Sequence, residues 1–378
     1  MCLIVRETNG DRDLPYFIQT VVGNGDSQNL NVDVPGLSTS IGSPVGVTRS
    51  KNGDLYFTSP NTHVVLKAQF NPTNGSFDNV VIVAGTGTND FGSDNVSALT
   101  SALSFPQGVT LIEDSNGDSI ALLFADNSNH RIRKLDMTST PMIVTTIVGT
   151  GQQGFGGDGS SATNAKLDGL VGVYYDKVTG DIYVVDSYNH RIRRVSGGAI
   201  NTVVGKQCAF SEGLGDGGPA LQACLKNPSH FTMNDAGEWF IADSGNDRIR
   251  KVDSNGDIHT VVGGGNDQIG DAPALDVKLT YPIYTGFTQS GEMLVADYQS
   301  KLRLMDKNGF MKVIVGDGAV SPSNPILAKK AIAKPTGLIY VRDGSETIFM
   351  TDLAGYIHKV FMFECFGMKG TKACSAHG

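Results

Sequence analysis

Short runs of β-branched and apolar residues, each closed by Gly, Asp, Asn or Pro, follow one another along this chain with no helical spacing between them. Six of the runs end alike, at Val21-Val22-Gly23, Val83-Ala84-Gly85, Ile147-Val148-Gly149, Val203-Val204-Gly205, Val261-Val262-Gly263 and Ile314-Val315-Gly316, and their final glycines stand 62, 64, 56, 58 and 53 residues apart. Between two such glycines the order repeats: a Gly/Asp-rich loop, an apolar run beside a Pro, a run closed by Asp, a polar turn, then a run with apolar residues set among Arg and Lys. The stretch from Gly180 to Val195 holds a full copy of the last three parts, and related copies end at Lys67, Lys134, Lys251, Leu304 and Lys359. Runs punctuated by turn residues predict strands, and self-similarity at this period predicts a repeat architecture.

The run after each Pro (Val45 to Thr48, Gly108 to Leu111, Gly337 to Val341) becomes strand A of a four-stranded antiparallel unit. The Asp-closed run is then strand B, the Arg/Lys run strand C and the Val-Gly run strand D. Such a unit buries its faces only against neighbours, and rings of about 4 to 8 of them are β-propellers. Six copies predict an all-β fold of six blades. The last copy supplies strands A to C from Pro335 to Phe361 and lacks strand D, whereas Tyr16 to Gly23 is a strand D with nothing before it. The N-terminal strand is therefore expected to pair into the C-terminal blade and close the ring, which removes exposed edges. The expected division is a lead over 1–15, one propeller over 16–363 and an unstructured tail over 364–378.

Because strands alternate in direction, the D-to-A and B-to-C connections emerge on one face and the A-to-B and C-to-D turns on the other. The second face carries tight Asn-Gly turns at Asn52-Gly53, Asn255-Gly256 and Asn308-Gly309. Long loops crowd the first, and loops held by a rigid scaffold are where binding concentrates. Its six long loops hold twelve Asp or Glu against six Lys or Arg, in a chain of formal net charge -8. Nucleic acid, which is bound by clustered Lys and Arg on phosphate, is not expected as a partner. Phe91, Phe155 and Phe210 recur at one place in three successive loops, with Tyr188 and Tyr298 in the B-to-C turns and Asp158 and Asp216 in the loops. Together they form a candidate partner face on which exposed aromatics act as anchors. The competing role for each Phe is to pin its own loop.

Two repeated polar sets point to structure. Asp126, Asp186, Asp243, Asp297 and Asp352 close strand B, where a carboxylate can accept N–H groups of the following turn. Arg133, Arg193, Arg250 and Arg303 lie in strand C beside Ile132, Ile192, Ile249 and Leu302, and an Arg between packed blades needs a carboxylate, expected from the strand B Asp of its own or a neighbouring blade. Gly149-Thr150-Gly151-Gln152-Gln153-Gly154 spells a dinucleotide fingerprint, but Phe155-Gly156-Gly157-Asp158-Gly159 will not open the helix that a pyrophosphate site requires.

These residues resemble the NHL repeat family. Asp126 to Lys134, Asp186 to Arg194, Asp243 to Lys251, and Gly215 to Ala220 running on to Leu225 and Pro228 carry the likeness, which covers about residues 16 to 361. Ser59 departs where the family places Asp, and the B-to-C turns of blades five and six are one residue shorter. The resemblance implies a propeller used mostly as a binding platform, with a few enzymatic relatives. Six-bladed lyases that cleave peptidyl-hydroxyglycine look similar in fold and hold zinc through histidines of different blades. Calcium-dependent lactonases and strictosidine-synthase-like propellers act in the central channel. Here His63, His130 and His190 occupy equivalent outer positions of successive blades, too far apart to share one ion. His230, in a channel-lining strand, is the better candidate ligand. The other channel-lining segments offer few charges and no convergent acid and base. The expected function is a non-catalytic platform for a protein or peptide, monomeric and without a cofactor. The alternatives are a zinc- or calcium-dependent propeller enzyme and a ligand-sensing ectodomain of a larger receptor.

Compartment and redox state stay open at this level. No apolar run reaches the roughly 18 residues of a membrane-spanning helix. Met1-Cys2-Leu3-Ile4-Val5 is too short for a signal peptide and gives way to Arg6-Glu7, so the chain is expected to be cytosolic or a piece of a larger one. Asn74-Gly75-Ser76 and Asn95-Val96-Ser97 match glycosylation acceptors and would suit an extracellular parent. Of five cysteines, Cys208 and Cys224 share one connecting loop and Cys365 and Cys374 bracket the tail; bridged and reduced states are both compatible with those spacings.

Overall fold

A computed structural model describes residues 16–209, 213–267, 271–299, 301–316, 326–327, 335–341 and 347–362. They form six antiparallel blades in a ring. Strands A to D of blade one are Val47–Arg49, Leu55–Ser59, Val64–Phe70 and Phe77–Ala84. Blade two has Pro106–Glu113, Ser119–Asp126, Arg131–Asp136 and Ile143–Val148. Blade three has Leu170–Tyr175, Ile182–Asp186, Arg191–Ser196 and Ala199–Val204. Blade four has His230–Met233, Trp239–Asp243, Arg248–Val252 and Asp257–Gly263. Blade five has Pro282–Phe287, Met293–Asp297, Lys301–Met305 and Phe310–Val315. Blade six takes strands A to C from Pro335–Val341, Thr347–Asp352 and Tyr356–Met362.

Its strand D is Tyr16–Val22, paired antiparallel with Tyr356–Met362 from Tyr16 opposite Met362 to Val22 opposite Ile357. The ring closes as the phase of the repeat predicts. The lead 1–15 and the chain from 363 onward lie outside the described residues. Among the described residues no helix is long and apolar enough to cross a membrane.

The core is divided among the seams between blades. At the seam of blades two and three, Leu123, Ala125, Ile132 and Val148 meet Leu170, Val173, Val184 and Ile200. Strand B packs against both neighbours, so Leu55–Ser59 is buried along its whole length. Four of the long loops contribute to the seams they cross, through Ala98 and Leu103, Ala162 and Leu167, Ala220 and Leu225, and Ala274 and Leu279. In four blades the loop also lays a short strap on the outer strand of the next blade. Val96–Ser97 pairs with blade two, Gly218–Pro219 with blade four, Ala272–Pro273 with blade five and Ile326–Leu327 with Tyr16–Val22 of blade six. Blade three has a single bridge, Ser161 opposite Ala199. Four blades are thus five-stranded where four strands were expected.

The glycine that ends each Val-Val-Gly marker has a geometric cause. Gly149 has φ +97°, and a Cβ there would lie 2.4 Å from the His130 carbonyl oxygen. Its N–H meets the Ala162 carbonyl at 2.9 Å, which starts the long loop inward.

Candidate functional site

On the long-loop face, the B-to-C connections of blades one to four are single 3-10 turns, Pro60–Thr62, Asn127–Asn129, Ser187–Asn189 and Ser244–Asn246. Each ends on a residue in the left-handed region: His63, His130, His190 and Asp247, with φ +56°, +52°, +59° and +56°. Three of these side chains stitch their blade to the next. His63 Nδ1 accepts the Phe105 N–H at 3.3 Å, His190 Nδ1 that of Asn227 at 3.1 Å, and Asp247 Oδ1 that of Tyr281 at 2.7 Å. Burial holds the His63 and His190 imidazoles below their ordinary range, which keeps the rings neutral and able to accept. The fourth, His130, makes no hydrogen bond at Nδ1, which stands 3.9 Å from Asp168 Oδ1.

Beneath the face runs a layer of buried ion pairs. Arg133, Arg193, Arg250 and Arg303 are fully buried. Arg133 meets Asp126 at 3.1 Å and Asp94 at 3.0 Å, Arg250 meets Asp243 at 3.0 Å and Asp216 at 2.6 Å, and Arg193 meets Asp158 at 2.6 Å with Asp186 at 3.6 Å. Arg303 pairs with Asp297 at 2.5 Å. The strand B carboxylate belongs to the same blade each time. Asp158 and Asp216 each give their second oxygen to a strand D hydroxyl, Thr202 at 2.7 Å and Thr260 at 2.8 Å. One carboxylate therefore ties the long loop to strands C and D together. Asp94, with the same role, is absent from the residues that sequence reasoning singled out.

The strand B carboxylates also accept backbone N–H groups, from two directions. Asp126, Asp186 and Asp243 take those of Ser104, Asp168 and Lys226, in the loop that enters strand A, at 2.7–2.8 Å. Asp297 and Asp352 take those of Gln299 and Ala354 in the following turn. Burial pushes the Asp126 and Asp243 carboxyls up, and that of Asp186 to about 6.

The aromatic candidates stand on this layer. The Arg131 guanidinium lies 3.9 Å from the Phe91 ring centroid and Arg191 lies 3.9 Å from that of Phe155. Both rings keep one side open, at 40% and 45% exposure, and Tyr188 and Tyr298 reach 63% and 66%. Phe210 lies outside the described residues. Phe105 and Tyr281, which sequence reasoning passed over, are also exposed. Both hold φ +48°, a strained setting for a bulky residue. The available signal was an aromatic placed directly before the strand A proline, as in Phe105-Pro106 and Tyr281-Pro282. Between blades two and three the surface sinks into a depression of about 390 Å³ lined by Phe105, Gln153, Asp168, Gly169, Tyr188 and His130 among others.

At the ring axis, the strand A position opposite the residue before the strand B Asp is glycine in four blades: Gly46, Gly108, Gly172 and Gly337. Backbones touch there: a Cβ on Gly108 would lie 2.7 Å from the Gly172 Cα. Blades four and five place His230 and Tyr284 instead, with ring centroids 4.1 Å apart. His230 Nδ1 has no hydrogen-bond partner, and burial drives its imidazole pKa to about 3. Among the described residues no three of His, Cys, Asp and Glu are grouped to hold a metal ion.

The depressed His230 pKa carries a pH dependence. An unfolded histidine titrates near 6.5 and the folded one near 3, so the folded state binds fewer protons between those limits and stability falls as pH drops below about 6.5. The contribution reaches about 1.4 kcal/mol per pH unit. Urea midpoints at about pH 7 and pH 5 should differ less for His230→Leu than for the parent protein; equal differences would refute it.

Cys208 and Cys224 are joined in a disulfide that staples the fourth long loop, with Cα atoms 5.6 Å apart. Cys365 and Cys374 lie outside the described residues.

The NHL repeat family matches residues 167–195, which hold strands A to C of blade three. Teneurin-1 of Homo sapiens is 22% identical over 389 residues, covering 81% of this chain and 14% of that protein. NHL repeat-containing protein 2 of Gallus gallus is 26% identical over 181 residues, covering 45% of this chain and 23% of that protein. The chain thus spans less than a quarter of the length of either relative. An auxiliary nutrient binding protein from Bacteroides thetaiotaomicron shares the fold at TM-score 0.63 and 13% identity, over 92% of this chain and 76% of that one. Virginiamycin B lyase from Staphylococcus aureus, in a catalytically inactive form with quinupristin, does so at TM-score 0.52 and 12% identity, over 92% and 100%. At such identities the likeness is one of fold.

Proposed function

Starting from a six-bladed β-propeller that carries an NHL repeat, we propose a non-catalytic platform that binds a protein or peptide partner on its long-loop face. One observation carries this reading. Of the seven exposed Phe and Tyr residues among the described ones, six (Phe91, Phe105, Phe155, Tyr188, Tyr281 and Tyr298) lie in D-to-A loops or B-to-C turns, and Phe310 alone lies elsewhere. Aromatic side chains with few rotatable bonds make strong anchors at small entropic cost. The ion-pair layer and the inter-blade stitches hold their loops before any partner arrives, which favours affinity through preorganisation. The rings at the axis favour binding at the surface over chemistry in a channel. The Cys208–Cys224 bridge supports an oxidising compartment as the place of work, in keeping with a module of a longer extracellular chain.

A displayed random-peptide library panned on the intact protein tests this. Enriched peptides should lose at least about tenfold in affinity for Phe155→Ala, Tyr188→Ala and Tyr298→Ala, since anchor residues carry about 2 kcal/mol or more. Those variants should keep the parent melting temperature, and Phe310→Ala should bind as the parent does. Peptides that ignore the three variants and fail on Phe310→Ala would place recognition on the opposite face and overturn the proposal.

A further inference from the structure

We infer that the depression between blades two and three is a subsite for an arginine side chain of the partner, an inference that rests on the platform reading above. The argument comes from where the repeat breaks its own pattern. Residues common to all blades serve the fold, so single-copy departures gathered at one place point to another use. Two departures and one shared aromatic meet here. Asp168 stands where the corresponding positions hold Ser104, Lys226 and Thr280; Gly169 stands where they hold Phe105, Asn227 and Tyr281; Tyr188 stands where blades two and four hold Ser128 and Gly245, and shares its place with Tyr298 of blade five.

Each departure changes the surface in a definite way. Gly169 removes a side chain and lets the Tyr188 ring settle on its backbone, so close that a Cβ would sit 2.6 Å from the ring. The ring so seated lines the depression together with Gly169, Asp168 and Phe105. Asp168 puts a carboxylate into it. Both of its oxygens take the Gln153 amide at 3.2 Å, and among the described residues no Lys or Arg lies within ion-pairing distance. The repeated loop carboxylates Asp94, Asp158 and Asp216, by contrast, each have a buried guanidinium. Below, His130 Nδ1 remains an unfilled acceptor where the adjoining seams hold a backbone N–H.

A cation that stacks on aromatic rings and donates several N–H bonds matches these walls and this floor. Guanidinium fits better than ammonium because it is planar, weakly hydrated and forked. The same face already uses that contact twice, with Arg131 on Phe91 and Arg191 on Phe155 at 3.9 Å. Carboxylate and guanidinium then form a charge-assisted pair partly shielded by the rings.

The test titrates N-acetyl-arginine amide, its neutral isostere N-acetyl-citrulline amide, and N-acetyl-lysine amide into the intact protein, followed by NMR. Saturable binding of the arginine probe is expected, at least tenfold tighter than citrulline and severalfold tighter than lysine. Asp168→Asn and Tyr188→Ala should each weaken it at least fivefold, and Gly169→Asn, whose Cβ would push the Tyr188 ring off its seat, should abolish it with the fold retained by circular dichroism. No saturation, equal binding of arginine and citrulline, or variants that bind as the parent does would overturn the subsite. The two readings fail separately. Display-selected peptides that need Tyr298 but bind Asp168→Asn unchanged would remove the subsite and leave the platform; a selection that yields no face-dependent peptide would remove the platform.

Discussion

Deleting residues 1–23 is expected to abolish cooperative folding. Strand Tyr16–Val22 is the outer strand of blade six, and its buried residues serve two seams at once. Ile18 packs with Leu338, Ile348 and Val360 against blade five, while Val22 packs with Ile41, Leu66 and Ile357 against blade one. Loss of a buried Ile or Val side chain costs about 2–5 kcal/mol each. With the antiparallel ladder to Tyr356–Met362 gone as well, the total exceeds much of the roughly 5–15 kcal/mol that holds a domain folded. Urea unfolding followed by circular dichroism should show a broad transition or none. A truncated protein with the midpoint of the full chain would refute ring closure by this strand. Ile18→Ala gives a graded version, expected to cost about 3 kcal/mol while leaving the transition two-state.

The second large effect is expected at the buried ion pairs. Asp243→Ala removes the fully buried partner of Arg250 and the acceptor of the Lys226 N–H and the Asn246 amide, leaving Arg250 with half-exposed Asp216. Breaking such a pair costs about 3–5 kcal/mol, because one charge is left without compensation in an apolar seam. Burial holds the Asp243 carboxyl above the usual carboxylate range, so the pair is maintained against a desolvation cost and works chiefly to fix geometry. Replacing both members, as in Asp243→Leu with Arg250→Met, should therefore cost less than the sum of the single changes. Urea midpoints of the four proteins give the coupling. Strict additivity would mean that the two side chains do not act as a unit.

These experiments also separate what the sequence made legible from what it did not. Blade number, strand order and the strand that closes the ring follow from spacing alone, because a repeat exposes its period and its phase without reference to contacts. Contacts between distant segments stay hidden. Asp158 and Asp216 read as surface acids, yet each binds an Arg some 35 residues on, and only alignment of the loop Asp of every copy with the strand C Arg of the same copy would have shown it. The same alignment reveals the Ala and Leu of four long loops, five residues apart in Ala98 and Leu103 and again in Ala162 and Leu167, which carry the loop across the core. The Asp168, Gly169 and Tyr188 group was the hardest to see, since Asp168 and Gly169 depart from a pattern and meet Tyr188 only at the seam.

Val96–Ser97, Gly218–Pro219 and Ala272–Pro273 occupy rungs on the outermost strands of blades two, four and five. A peptide approaching the rim finds those rungs filled and cannot extend the sheet there as one more strand. Strand addition draws its affinity from main-chain bonds that nearly any sequence can make. Were the ring to bind a partner as proposed, the strapped blades would leave side-chain recognition at the end of the propeller as the route to selectivity, in place of indiscriminate main-chain pairing.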